Sequence, residues 1–561
     1  MRFGASKVSR LSAGRTRLKT LGAVVTLCLG VAAASDTGAP VSSGGRAEQY
    51  IVQGVSSKVA AADLVAGRGV VLSALPIVHG VVAKLTAPEV AAARQVGLTV
   101  TPDVTVTVEG SLGSPQSHPS DAFNAVTGAT SMWADGITGA GVTVAVLDTG
   151  IDSNLPDFGD RVVDGVNLAN PRNPGGWNTD GYGHGTFVAG LIGSNGRSSG
   201  GQYTGVAPDA DLVSIKVAGS NGVTSEGTVI EGVQWAIDNE AVDGIQVLNI
   251  SLGVEPPSPS ALDPLDQAVE QAWSAGIVVV TSAGNIGPDN GTITSPGDDP
   301  MVITVGSLDD GGADVPADYA IPAFSSVGPT DIDGWFKPDL VAPGRSVVSL
   351  IPPASAIALA NPTAAIGRHN FVGSGTSFSA AIVSGLVALL LEADPGLSPD
   401  QVKAALLFGA DPGPVGDPFV DGHGLADVMS AAAAGGQVFL NQIPAAAAES
   451  VSPPATISLA STWAASTWNP ANWSGPAWTA SSISSAAQSA SPAPVDGTNW
   501  NGATWNGAAW NDAAWNDAAW NDAAWNDAAW NGAAWNDAAW NDAAWNDAAW
   551  NDAAWNDTAW N

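Results

Sequence analysis

Hydrophobic and polar residues alternate in short stretches along the first part of the chain. Residues 104–108 (VTVTV) show the period of two that is typical of a half-buried strand, and residues 49–55 (QYIVQGV) predict another strand. Residues 87–96 (APEVAAARQV) predict a short helix, because a proline near the first turn suits the start of a helix. The pattern over residues 48–110 therefore predicts a small α+β module.

From residue 121 to residue 436 the pattern changes to that of an α/β domain. Residues 142–147 (VTVAVL) and 277–281 (IVVVT) are continuous apolar runs, which are typical of parallel strands covered on both faces. Helices are predicted at 228–239 and at 398–408, and the second opens with Ser–Pro, a good N-cap and first-turn pair. Such alternation predicts a mostly parallel central sheet between two layers of helices.

The beginning of the chain has the form of a secretory signal. Six basic residues and no acidic residue occur in the first 19 positions, followed by an apolar run at 21–33 and small residues at 32–34. A membrane anchor is the alternative, but a spanning helix needs about 20 apolar residues. We therefore expect residues 1–34 to be a cleaved signal peptide, and the product to be extracellular, either free or associated with the cell surface.

Charge and cysteine content exclude several classes of function. The chain has 19 basic and 53 acidic residues, a net charge of −34, and such a polyanion repels nucleic acid. The one cysteine, Cys28, lies in the apolar run that would leave with the signal. The mature protein would then be neither a cysteine enzyme nor a disulfide scaffold.

Two stretches have linker composition, and the C-terminal region is a repeat. Residues 110–120 are rich in Gly, Ser and Pro and predict an exposed, cleavable linker, while residues 437–460 are a second linker. Residues 461–561 contain Trp463, Trp468, Trp473 and Trp478, then thirteen more tryptophans spaced five residues apart from Trp500 to Trp560.

The five-residue period of this tail matches no regular element, because it forms a stripe on neither a helix nor a strand. Three interpretations stay open. The tail is a narrow solenoid with one turn per repeat, a row of indoles that stack on cell-wall sugar rings, or an acidic low-complexity segment with no enclosed core.

Three glycine-flanked segments carry candidate catalytic residues. Ser377 lies in GSGTSFSA (373–380), directly before the apolar run 380–393, which predicts a buried helix. The first turn of that helix offers unpaired N–H groups and the positive end of the helix dipole to a developing oxyanion. The alternative is that Ser377 is only a helix N-cap.

The other two segments would supply a base and a carboxylate. His184 lies in GYGHGTFVAG (181–190), and a histidine pKa near 6.5 makes it a natural base for a hydroxyl, although a surface-loop histidine is the alternative. Asp148 ends the strand in AVLDTG (145–150), where α/β proteins place ligands, although a helix N-cap or a metal ligand would look similar. Three such segments at element boundaries of one domain favour a shared site.

In this order, the Asp, His and Ser segments resemble those of the subtilisin-like serine proteases (subtilases, peptidase family S8). Further matching segments are NISLG (249–253), SAGN (282–285), FSSVGP (324–329) and KPDLVAPG (337–344). The resemblance covers residues 130–434, and the module at 48–110 looks like the family's propeptide. It implies a subtilisin-like three-layer α/β fold preceded by a ferredoxin-like inhibitor domain.

The resemblance also implies roles for individual residues. Ser377 attacks the scissile carbonyl, His184 transfers the proton, and Asp148 orients the imidazole. Asn285 and the Ser377 backbone N–H stabilise the oxyanion. The expected substrate-binding residues are Ser251, Leu252, Gly253, Ala283 and Gly284, which pair with an extended peptide.

Beyond the site, the resemblance implies a secreted endopeptidase made as a self-processing precursor, with its own propeptide as an intramolecular inhibitor. Its substrates would be proteins or peptides. No cofactor is required for the chemistry, and a structural calcium ion is compatible with the family, with ligands unknown. We expect a monomer.

Three positions depart from the usual family pattern. Phe378 replaces a methionine and Ala381 a proline, and we expect both to lie behind the nucleophile and to alter packing only. Thr294 replaces a glycine at the floor of the primary specificity pocket, which predicts a shallower pocket for small or medium side chains.

A different class of function remains as the alternative. The protein would be a binding or surface-structural protein in which the tail is the functional part and the protease domain is inert. The intact set of Asp148, His184, Ser377 and Asn285 argues against it, because an inert relative would be free to lose any of them.

Overall fold

The computed structural model describes residues 46–67, 69–108, 110–112 and 120–434. The predicted signal peptide at 1–34 with Cys28, the linker at 437–460 and the repeat at 461–561 lie outside the described residues.

The N-terminal module is a four-stranded antiparallel sheet with two helices. Its elements are β1 (Glu48–Gln53), α1 (Ser57–Ala66), β2 (Val70–Leu75), β3 (Gly80–Leu85), α2 (Ala87–Gln95) and β4 (Thr99–Pro102). The order β2-β3-β1-β4 and the βαββαβ succession are those of a ferredoxin-like fold, as expected. Helix α2 starts where the sequence predicts, because Thr86 and Glu89 form a capping box.

Two short strands, β5 (Thr105–Val108) and β6 (Ser111–Leu112), follow this module. The remaining elements are α3 (Phe123–Val126), α4 (Ala129–Ala134), β7 (Thr143–Asp148), β8 (Val162–Asn167), α5 (His184–Gly193), β9 (Asp211–Lys216), β10 (Val223–Ser225), α6 (Glu226–Asp243), β11 (Ile245–Ile250), β12 (Leu252–Gly253), α7 (Pro264–Ser274), β13 (Val278–Ser282), β14 (Ile303–Leu308), β15 (Leu340–Pro343), β16 (Val347–Leu350), α8 (Ala356–Ala360), β17 (Asn370–Ser374), α9 (Thr376–Ala393), α10 (Pro399–Gly409) and α11 (Val428–Ala434).

The second part of the chain is built on a seven-stranded sheet in the order β15-β14-β13-β11-β7-β9-β8. All neighbouring pairs in this sheet are parallel. The continuous apolar runs are β7 and β13, and both strands are buried along their whole length, as parallel strands between helix layers must be. The predicted helices at 228–239 and 398–408 are α6 and α10.

Helix α9 lies in the core and packs against the strands β11, β13, β14 and β15. It is the one helix among the described residues that is long and apolar enough to span a membrane, but 89% of it is buried inside the protein. The Ser384 hydroxyl donates a hydrogen bond to Asn249 Oδ1 at 3.0 Å, and a Cβ on Gly385 would lie 2.5 Å from Val206 Cβ. The helix is therefore a core element whose small residues allow close packing.

Strands β5 and β6 join the N-terminal module to the α/β domain. Strand β5 lies between β10 and β12 and is antiparallel to both, and β6 pairs antiparallel with β17. The predicted linker at 110–120 is therefore wrong for its first residues, since Ser111 and Leu112 form a strand and Leu112 is buried in the main core. The pairing partners lie over 100 residues away, so the local composition did not reveal them.

Candidate active site

Asp148 and His184 form a buried pair between the sheet and a helix. Asp148 is the last residue of β7, and His184 is the first residue of α5. Nδ1 of His184 lies 2.8 Å from Oδ2 and 3.0 Å from Oδ1 of Asp148, and neither side chain is exposed by more than 1%. The carboxylate therefore holds one ring nitrogen and leaves Nε2 facing away from it.

A second carboxylate, Asp180, fixes the start of α5 and was missed by the sequence analysis. Its two oxygens accept hydrogen bonds from backbone N–H groups of Tyr182, Gly183 and Thr186 and from the hydroxyls of Thr149 and Thr186. Burial raises the pKa of Asp180, and these donors oppose that effect. The signal in the sequence is an acidic residue just before the glycine-flanked histidine, where it can cap the helix.

Ser377 lies in the first turn of α9 and is fully buried. Its hydroxyl donates to the Ser251 carbonyl at 3.4 Å, while the Ser251 hydroxyl donates to the Ser377 carbonyl at 3.0 Å. Asn249 Nδ2 donates in turn to the Ser251 hydroxyl at 2.8 Å. This chain of contacts ties the end of β11 to the start of α9 and explains why the NISLG segment accompanies the serine segment.

Asn285 is oriented by the residue that precedes Ser377. The Asn285 Oδ1 atom accepts hydrogen bonds from the Thr376 backbone N–H at 2.9 Å and from its hydroxyl at 3.2 Å. The Nδ2 atom of Asn285 is buried and has no hydrogen-bond partner among the described residues. A buried donor of this kind can serve an acceptor that arrives with the substrate.

A strand of the protein itself fills the cleft beside these residues. In β12, Leu252 pairs with Val108 and Gly253 with Thr107, so the segment predicted to bind an extended peptide binds β5. On the other side of the site, β6 pairs with β17, which ends three residues before Ser377. Between them, a Cβ atom on Gly110 would lie 3.1 Å from Nε2 of His184.

Thr294, which is predicted to form the floor of the specificity pocket, packs against Gly284. Thr294 is 4% exposed, and its backbone N–H donates to the Ala283 carbonyl at 3.0 Å. A Cβ on Gly284 would lie 2.9 Å from Thr294 Cγ2. The threonine methyl therefore occupies the space next to the Ala283–Gly284 backbone.

Phe378 is buried in the main core, as a packing role predicts, and its ring also lies beside His184. Its ring centroid lies 5.5 Å from that of His184 and 4.3 Å from that of Phe187. The side chain thus forms part of the wall of the site next to the histidine. Ala381 is fully buried in α9, in agreement with a packing role.

The described residues contain no group of three or more His, Cys, Asp or Glu side chains that could hold a metal ion.

The comparison with protein families decides the family of this chain. The model of the subtilase family matches residues 139–424, which contain all four residues of the candidate site. The chain belongs to the subtilase family. Subtilases are serine endopeptidases, and they need no cofactor for catalysis.

Individual subtilases are similar over the same region. Serine protease AprX of Bacillus subtilis (strain 168) is 42% identical over 298 residues, which are 51% of this chain and 65% of AprX. Subtilisin DY of Bacillus licheniformis is 36% identical over 301 residues, 53% of this chain and 93% of that protein. This chain thus spans just under two thirds of AprX and nearly all of subtilisin DY.

The fold is similar to that of a solved relative, fervidolysin from Fervidobacterium pennivorans, described as a keratinolytic enzyme related to subtilisin. The TM-score is 0.55 and the sequence identity 25%, over 69% of this chain and 61% of fervidolysin. The predicted subtilisin-like α/β fold is therefore confirmed.

Proposed function

We propose that this protein is a serine endopeptidase that hydrolyses peptide bonds through an acyl-enzyme on Ser377. The observation that carries the proposal is the buried contact of 2.8 Å between Asp148 and His184, next to the helix that begins with Thr376 and Ser377. A carboxylate, an imidazole and a hydroxyl in this relation activate a nucleophile at neutral pH.

In the proposed mechanism the Ser377 hydroxyl attacks the carbonyl carbon of the scissile bond. His184 takes the proton through Nε2 and later gives it to the departing amine. Asp148 keeps the proton of the neutral imidazole on Nδ1 and stabilises the imidazolium. Asp180 acts as a positioning residue, because it holds the helix start that carries His184.

The oxyanion of the tetrahedral intermediate would be stabilised by Asn285 Nδ2 and the Ser377 backbone N–H. Support comes from the Thr376 contacts, which point the Asn285 oxygen away and leave the buried amide nitrogen for the substrate. Removing one such donor costs about 10²–10³ in kcat in this family.

Substrates would be proteins or peptides bound in extended form. The edges of β10 and β12 accept β5 as an antiparallel partner, and a substrate backbone would make the same pairing. Ser251, Leu252 and Gly253 would line one side of it, and Ala283 and Gly284 the neighbouring pocket. Thr294 would limit that pocket to small or medium side chains.

The enzyme would be exported and made as a precursor that cuts itself. The module at residues 48–110 would contain the propeptide, and β5 would block the cleft until the propeptide leaves. Support comes from the contacts between the module and α6, including the Gly227 N–H that donates to Asp103 Oδ1 at 2.8 Å. The tryptophan-rich tail would contact cell-wall polysaccharide and keep the enzyme near the cell surface.

A fluorophosphonate probe tests the proposed chemistry, because it modifies only a serine activated by a neighbouring base. Labelling should occur in the processed wild type and be absent in Ser377→Ala. Ser379→Ala is the matched control, since Ser379 lies in the same helix and its buried hydroxyl has no partner among the described residues. Labelling of Ser377→Ala, or none in the wild type, would reject the proposed nucleophile.

A further inference from the structure

Strands β5 and β6 pair with elements on two sides of the candidate active site. On one side, the register of β5 is fixed by Val108 opposite Leu252. On the other side, the register of β6 is fixed by Ser111 opposite Ser374. Gly110 lies between these two strands and beside His184.

A side chain on Gly110 would be tightly confined. A Cβ atom built on it would lie 3.0 Å from Phe378 Cζ and 3.1 Å from His184 Nε2. Carbon atoms in favourable contact are about 3.5–4.0 Å apart, so the contact with Phe378 Cζ would be repulsive, and the neighbouring contact with Nε2 would also be tight. The φ angle of +150° at Gly110 is a further constraint that favours glycine.

The Phe378 ring cannot easily move to make that room. It is 1% exposed and packs against Phe187 with ring centroids 4.3 Å apart. A Cβ atom built on Gly373 would lie 2.7 Å from Phe378 Cε2. Another edge of the Phe378 ring is therefore close to the backbone of β17. A shift away from Gly110 would thus run into Phe187 or β17.

We propose that Phe378 and His184 close the leaving-group side of the cleft to residues other than glycine, and that the precursor is therefore cut on the amino side of Gly110. This inference rests on the proposed function, and it adds the bond that is cut and the residue that selects it. The nitrogen of Gly110 is the leaving group because Gly110 is the residue next to Nε2, which must protonate the departing amine.

Water is the one further reactant that this cleavage needs. The Ser377 oxygen bonds to the carbonyl carbon that precedes Gly110, and its proton passes to Nε2 of His184. The C–N bond then breaks, its electron pair stays on the Gly110 nitrogen, and Nε2 returns the proton to give a free amine. Water hydrolyses the ester, which restores the Ser377 hydroxyl and leaves a carboxylate at the end of the propeptide.

The first experiment follows self-processing of the full-length chain by intact mass and N-terminal sequencing. The wild-type product should begin at Gly110. Gly110→Ala should slow this cut by at least about tenfold. Gly97→Ala is the matched control in the same module, since Gly97 also has a positive φ, +87°, but nothing within 4 Å of its added Cβ.

The double variant Gly110→Ala/Phe378→Ala separates the Phe378 wall from the backbone constraint. Removing the ring should restore most of the rate that Gly110→Ala loses, whereas strain in φ alone would leave the double variant as slow as Gly110→Ala. A product that begins at another residue, processing of Gly110→Ala at the wild-type rate, or no recovery in the double variant would each overturn the inference.

The second experiment uses the wild-type mature enzyme and does not depend on any variant that must fold. A peptide ester forms the acyl-enzyme, and glycinamide and alaninamide compete with water for it. Glycinamide should capture the acyl group at least about tenfold more efficiently. Ester turnover without this preference overturns the inference alone, whereas no ester turnover overturns the proposed function together with it.

Discussion

Nδ1 of His184 lies 2.8 Å from Oδ2 of Asp148, although the two residues are 36 positions apart and belong to different elements. The strand β7 delivers the carboxylate at its carboxyl end, and α5 delivers the imidazole with its first residue. Because both groups are buried, the orientation of the ring is set before a substrate arrives.

Asp148→Asn should lower kcat by about 10⁴-fold, because the amide favours the wrong tautomer of His184. The measurement is ester hydrolysis by the processed enzyme under saturating substrate. Asp152 lies four residues after Asp148, and among the described residues its carboxylate accepts hydrogen bonds from Asn154. Asp152→Asn should therefore stay within a few-fold of the wild type. Equal losses in the two variants would contradict the role given to Asp148.

Thr294→Gly should deepen the specificity pocket, since it removes the methyl group that lies against Gly284. We expect kcat/KM for peptides with a large aromatic residue before the cut to rise by about tenfold relative to peptides with alanine there. The ratio is measured with paired peptide substrates. Efficient cleavage after large aromatic residues by the wild type would show that Thr294 does not limit the pocket.

Asp339→Asn should destabilise the fold by about 3–5 kcal/mol, because it removes the buried carboxylate that contacts both Lys337 and Lys403. Asp339 lies 2.8 Å from Lys337 Nζ and 3.0 Å from Lys403 Nζ, and all three side chains are buried. Denaturant unfolding gives the free energy. Asp309→Asn is the control, since its pair with the 40% exposed Arg345 is worth only about 0–1 kcal/mol.

The same cluster predicts the direction of an acid effect. Burial alone would raise the pKa of Asp339, but Lys337, Lys403 and the hydrogen bonds lower it below its ordinary value. Burial lowers the pKa of Lys403 to about 7, so Lys403 is charged in the acid range. The contribution of Asp339 is thus present above pH 3.8 and is lost as the pH falls further, a dependence that Asp339→Asn should not show.

Glu226→Gln should stabilise the uncut precursor at pH 8 but not at pH 5. Glu226 begins α6 at the contact with the N-terminal module, where its N–H donates to the Val104 carbonyl at 3.0 Å and its side-chain oxygens have no partner among the described residues. Burial, with the nearby charges of Asp263 and Asp103, raises its pKa to about 9.

The Glu226 carboxyl keeps its proton in the folded state up to a pH of about 9, whereas in the unfolded state it loses the proton near pH 4.5. The stability of the folded precursor therefore falls as the pH rises from 4.5 to about 9. Thermal unfolding in a Ser377→Ala background should show a Tm gain of a few degrees for Glu226→Gln at pH 8. Glu255→Gln, at an exposed position, is the control. A gain that is the same at both pH values would show that Glu226 is not a protonated acid in the precursor.

The apolar runs made much of the α/β domain predictable. Strands β7 and β13 and the helix α9 are continuous hydrophobic segments, because an element that is buried on all sides needs apolar residues on all of its faces. Helix α9 begins at Thr376, four residues before its apolar run, because small and polar residues can form a first turn when it packs in the core. Boundaries of this kind depend on packing that the sequence pattern does not contain.

The contacts across the cleft could not be predicted from composition. Strand β6 lies in a stretch rich in Gly, Ser and Pro, and it pairs only because β17 offers an edge. Asp180 is one of 53 acidic residues, and its five hydrogen bonds depend on how the loop folds over α5. The position of Phe378 against His184 likewise follows from the packing of α5 and α9.

The most direct test of the proposed function is casein hydrolysis by the full-length wild-type protein beside Ser377→Ala, with the intact mass of both products recorded from the same samples. We expect hydrolysis and loss of the N-terminal module in the wild type only, with the variant full-length apart from its signal peptide and inactive. Equal hydrolysis by Ser377→Ala would contradict the account, and so would a wild type that loses its N-terminal module but hydrolyses no casein.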